Sequence, residues 1–168
     1  MSRIGGVVVA GVLAVGGIGA YEKWGKGGED NTVRDQTGEI VEQGDLGVFV
    51  LSIGDCFDSE VGEIVTTTGI PCSSSHEQEY VGEFTLVEDV YPGVASMDSQ
   101  AEEKCIPMIW SYVGDIDKVS LKYPNFAWSS IQPSEASFAE GDRTVGCALG
   151  LSGGERLTES LRNFQNGN

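Results

Sequence analysis

Apolar and polar positions alternate most clearly at residues 79–86 (EYVGEFTL), where Tyr80 and Phe84 share a phase. A period of two predicts a strand with one buried face. Residues 46–53 (LGVFVLSI) form a short apolar run that stops at Gly54-Asp55. Residues 61–68 (VGEIVTTT) are β-branched and bounded by Gly69 and Pro71, and residues 144–151 (TVGCALGL) make a further apolar run. These are also predicted strands. The period changes at residues 96–113 (SMDSQAEEKCIPMIWSYV), where Ala101, Cys105 and Met108 or Ile109 fall on one helical face. Ser96 or Asp98 is expected to cap this helix, and its early acids suit the positive end of the dipole. Pro107 lacks a backbone donor and is expected to kink or divide it.

Residues 133–138 predict one helical turn capped by Ser134 and stopped at Gly141-Asp142. Residues 115–123 suit a strand or a loop. Residues 157–161 suit a short last element, and residues 163–168 a frayed tail. Trp110 and Trp128 are expected in the core, because tryptophan buries a large area. There is no internal repeat and no βαβ alternation. The expected fold is α+β: a small, mostly antiparallel sheet with one principal helix.

The N-terminus has a different pattern. Residues 4–21 (IGGVVVAGVLAVGGIGAY) carry no charge. As a helix they would extend about 27 Å, near the thickness of a bilayer's hydrocarbon. Two readings stay open. One is a retained signal anchor, which the length favours. The other is a cleaved secretory signal with Gly17 and Gly19 as its small residues. In an anchor, Tyr21 and Trp24 sit near the interface. Gly6 with Ala10, and Gly16 with Ala20, have the small-xxx-small spacing that lets membrane helices self-associate. Residues 25–43 are polar and Gly-rich, and read as a tether. The expected division is an anchor over 1–24, a tether over 25–44, a folded domain over 45–162 and a flexible tail over 163–168.

Charge and cysteine content narrow the function classes. The net charge is −16, from 26 acids against 10 bases. No basic cluster exists to track phosphates, so nucleic acid is not an expected partner. The four cysteines Cys56, Cys72, Cys105 and Cys147 all come after the apolar segment. An even number behind an export-like segment reads as two disulfides in an oxidising compartment. The basic residues Lys23, Lys26 and Arg34 lie after the span and only Arg3 precedes it, which read alone favours a cytoplasmic domain. The cysteines outweigh that sign, so the domain is expected outside the membrane.

Gly54-Asp55-Cys56-Phe57 comes first, then Pro71-Cys72-Ser73 with His76 and Glu79, Tyr91-Pro92-Gly93, Cys105 and Trp128. Gly141-Asp142-Arg143, Cys147 and Leu157-Thr158-Glu159-Ser160-Leu161 complete the series. This order resembles the actinobacterial septum-formation domain from Gly54 to the tail. Ser75 stands where that family often has Pro, and Phe138 where it often has Trp. The resemblance implies a membrane-associated, extracytoplasmic protein linked to cell division, and it implies no reaction.

Three pairings of the cysteines are open, and we favour Cys56–Cys72 and Cys105–Cys147. Zinc needs closely spaced ligand pairs, and only Cys72 and His76 lie near each other. No C-x-x-C redox motif is present. Asp115 and Asp117 suggest calcium, but the spaced calcium-loop pattern is missing. Ser73, Ser74, Ser75, His76, Glu77 and Glu79 supply the residue types of a serine hydrolase without a nucleophile elbow. His76 is expected as a turn residue, its ring bonded to a backbone carbonyl and to Glu79. Asp142 and Arg143 are expected in a turn, with Arg143 pairing an acid or offering a fork to a carboxylate. The expectation is a membrane-anchored envelope protein that acts by binding an envelope or division partner, with no cofactor. The alternative is an envelope serine hydrolase using His76.

Overall fold

The computed structural model describes residues 29–58 and 66–164, and the backbone of Val7–Val8. Its strands are β1 (Val7–Val8), β2 (Val33–Arg34), β3 (Ile40–Glu42), β4 (Gly44–Gly47), β5 (Cys56–Asp58), β6 (Thr66–Ile70), β7 (Gln78–Thr85), β8 (Phe126–Gln132) and β9 (Thr144–Leu151). The helices are α1 (Val94–Val113), α2 (Ile116–Lys122) and α3 (Glu135–Ala139). Seven strands form one sheet in the order β1-β8-β9-β7-β5-β6-β4, antiparallel except where β1 meets β8. The expected α+β class is what the chain adopts.

Helix α1 packs against the sheet through Met97, Ala101, Cys105, Ile109 and Val113. These positions recur every three or four residues, the spacing of one helix face. Facing them are Val145, Cys147 and Leu149 of β9, which together with Leu157 and Leu161 complete the main core. The disulfide Cys105–Cys147 joins helix to sheet inside that core, and Cys56–Cys72 joins β5 to the turn after β6. Both favoured pairings are therefore formed.

Several expectations need correction. Pro107 does not divide α1, which runs unbroken on either side of it. Its ring lies on the exposed side, and the disulfide two residues earlier holds the helix to β9. Neither Ser96 nor Asp98 caps α1; the N-cap is Gly93 at φ 80°, a conformation glycine adopts without strain. Trp110 is 58% exposed, one position past the buried Ile109, while Trp128 is half-buried against the core. The apolar run at 46–53 supplies only β4 and then a 3-10 turn, Val48–Val50. Strand β6 passes through Gly69 and ends before Pro71. Residues 116–122 are helical because the Asp115 side chain accepts a hydrogen bond from the Lys118 amide.

The expected tether is part of the folded body from Glu29 onward. Strands β2 and β3 pair, Ile40 is buried, and Arg34 binds Asp55 across the chain. Within the expected frayed tail, the Asn163 and Phe164 amides donate to the carbonyls of Tyr112 and Val113, and the Phe164 ring is buried. Apart from Val7–Val8, the expected anchor with Gly6, Ala10, Gly16 and Ala20 lies outside the described residues. Among the described residues, no helix is long and apolar enough to cross a membrane.

Candidate functional site

Glu79 sits near the start of β7, with no exposure to solvent. A buried carboxylate needs donors, since an unpaired one costs several kcal/mol. Three converge on it: the Tyr112 hydroxyl of α1, the Ser160 hydroxyl and the Leu161 amide, the last at 2.9 Å. Residues 157–164 thus form a strap drawn across one end of the sheet. Burial, with the neighbouring Glu79 carboxylate, raises the Tyr112 phenol well above its usual range, so it stays a donor.

His76 lies beside the strap and is equally buried. Its backbone pairs with Leu157 in both directions, and its Nδ1 donates to the Ser74 carbonyl at 2.8 Å. That bond assigns the tautomer and leaves Nε2 without a proton. Nε2 has no partner among the described residues. The expected bond from His76 to Glu79 is absent, because Glu79 is taken by the strap and Tyr112. No seryl hydroxyl among the described residues is bonded to either ring nitrogen.

Burial, reinforced by the Arg156 guanidinium, lowers the His76 pKa; the Ser74 carbonyl, Glu79 and Asp58 oppose that shift less strongly. The lowered pKa makes stability depend on pH. Below the ordinary value of 6.5 the unfolded chain takes a proton that the folded one refuses. The domain therefore loses stability as pH falls from there, down through the lowered folded value. Urea midpoints measured across that range should decline for the native chain. In His76→Gln this part of the decline should be absent.

Arg156 ties Asp58, Glu77 and Ser75 together around this turn. Arg143 donates to the carbonyls of Phe138 and Asp142 and stacks 3.4 Å above the Phe138 ring. It is neither an open fork nor paired with a carboxylate side chain among the described residues. Asp142 is buried and accepts from Ser137 and the Thr144 amide. Cys56, Cys72 and Glu79 bring possible ligand atoms within 4.8 Å of one another. Both sulfurs are spent in the disulfide, so the trio offers one carboxylate, not a metal site.

Two surface clefts flank these residues. The polar one, of about 730 Å³, runs past the Cys56–Cys72 bridge and is lined by Arg34, Asp55, Ser73, Thr158 and Arg162. Gly54 forms part of its wall at φ +101°, and a Cβ there would come within 3.2 Å of the Arg162 guanidinium. Arg34 holds Asp55 through two bonds of 2.6 and 2.8 Å and also binds Asp30. The second cleft, of about 750 Å³, is mainly apolar and lies between α1 and the outer edge of β7. Leu51, Ile53, Val81, Pro107, Met108 and Tyr112 wall it. Neither cleft is visible as a motif. The only sequence signals are two arginines in an acidic chain and a proline in a helix.

The sequence model of the family described as septum formation matches residues 25–147. The chain belongs to that family. No curated protein and no solved structure matches it. Membership links this septum-formation domain to cell division. The match takes in all four cysteines, His76, Glu79 and most of the apolar cleft's surroundings, and it starts before the β2–β3 hairpin. It ends at Cys147, so the strap that closes over Glu79 in this septum-formation domain lies beyond it.

Proposed function

We propose that the chain is a membrane-anchored, extracytoplasmic binding protein of the cell envelope that serves septum formation and has no catalytic role. The observation that carries the binding role is the cleft between α1 and β7. It is apolar and open, while His76, Glu79, Asp142 and Arg143 are each committed to contacts within the fold. The two disulfides support an oxidising compartment. The uncharged stretch at 4–21 supports an anchor.

An epitope tag placed after Asn168, probed by antibody on wall-permeabilised cells with intact membranes, tests this. Label is expected at division septa without membrane lysis. Label that needs lysis, or that spreads evenly around the cell, overturns the reading. Mass spectrometry after maleimide treatment adds a second expectation: the cysteines react only after reduction.

A further inference from the structure

The binding role proposed above leaves the chemistry of the partner open, and any occupant of the β7 edge presupposes that role. Strand β7 pairs along its whole length with β9. On its other side β5 reaches only Gln78 and Glu79. The chain before β5 adds two backbone bonds at Tyr80, through Gly54 and Asp55, and then turns away. Among the described residues nothing pairs with residues 82–85 on that side. A sheet edge with unpaired amides and carbonyls is a template for another strand.

This edge borders the apolar cleft. A strand laid beside residues 82–85 would send alternate side chains under α1, against Met108 and Pro107, and the others away from it. Ile53 on the cleft wall is 55% exposed and adds its apolar side chain to the cleft's open surface. The register shift between Tyr80 and Gly82 marks where the strand leaves its β5 neighbour, and bulges often stand where a strand changes partner.

Charge selects the occupant. Among the described residues, Glu83 is the one charged side chain lining the cleft, on a chain of net charge −16. A second copy would bring a further −16 and be repelled. We infer that residues 82–85 of β7 and the adjoining cleft take up an extended, basic segment of a partner polypeptide with apolar side chains at alternate positions, added as a strand. Backbone bonds would supply affinity, and the cleft would select every second side chain.

The probe is a peptide of about six residues, alternating valine and lysine, the usual length of a strand. It is titrated into the full-length chain, and hydrogen exchange is measured at residues 82–85. Binding should slow exchange there at least tenfold and should weaken as salt rises from about 0.05 to about 0.3 M. Ile53→Lys should weaken binding at least tenfold. Leu121→Lys adds the same charge at a side chain 84% exposed on α2 and should change affinity less than twofold. Both sites are exposed, so both variants should fold.

Equal losses in the two variants would reduce the effect to bulk charge and overturn the inference. So would unchanged exchange at residues 82–85. Protection of that edge in peptide-free protein would assign it to another occupant: a second copy if it rises with concentration, the chain's own N-terminal segment if it does not. Septal label that persists in Ile53→Lys, with no peptide effect, would sink this inference and leave the binding reading standing. Peptide binding as described, with label away from septa, would uphold this inference and overturn the septal placement in the proposed function.

Discussion

Replacing Cys105 and Cys147 together by alanine should lower the unfolding free energy by about 4 kcal/mol, the larger of the two disulfide effects. The bridge spans a sequence separation of 42, against 16 for Cys56–Cys72, which the same chain-entropy argument values at about 3 kcal/mol. Both sulfurs of the longer bridge are buried where α1 meets β9. They also hold the part of α1 where Pro107 has removed a backbone donor. Domains of this size are stable by about 5–15 kcal/mol, so the variant should sit close to unfolding. Guanidinium titration checks this. A loss under about 1 kcal/mol would mean that packing alone secures α1, and that the bridge constrains an already compact unfolded chain.

Glu79→Ala should cost about 3 kcal/mol, because it strips the acceptor from several donors at once. Tyr112 is the worst placed, since it is buried and keeps its proton. Ser160 and the Leu161 amide lie on the strap and can turn to water if it lifts. The loss should therefore be uneven. Amides of residues 157–164 should exchange much faster, while β7 and β9 keep their protection. Uniform loss of protection across the sheet would show that Glu79 supports the whole fold rather than the strap. Glu79→Gln should fall between, because it keeps one acceptor oxygen but turns an NH₂ toward donors.

What can be read from the chain is local. Strands β7 and β9 announce themselves by alternation and by an unbroken apolar run, and α3 by Ser134, whose side chain accepts from the Ser137 amide. Strand β8 leaves no such trace. Its middle carries Ser129 and Ser130, which look like loop residues until their partners are known. Ser129 donates to Gln78, and Gln132 donates to both Ser130 and Asp98. Gln78 and Asp98 belong to β7 and α1, far away in the chain.

The β2–β3 hairpin is hidden for the same reason. Its composition is that of a tether, and what holds it is Arg34 on Asp55 and the burial of Ile40. Trp110 misses the core by a single position, since its neighbour Ile109 is the one on the buried face. At the site, the cysteines and Glu79 stand out by type and order. The partners of Glu79 come from α1 and from the strap, 33 to 82 positions away. The open edge of β7 depends on strand order, which no local pattern encodes.

The strap is made after every strand of the sheet. During synthesis the chain emerges N-terminus first. All four cysteines are out before Leu157 appears, so both bridges can close around a core that still lacks Leu157, Leu161 and Phe164. Until the last residues arrive, Glu79 lacks two of its donors and an apolar face lies open. Oxidation is therefore no proof of completion. A chain stalled or clipped short of Leu157 should be fully bridged yet sticky and protease-sensitive, so limited proteolysis should separate molecules whose strap is in place from those that lack it.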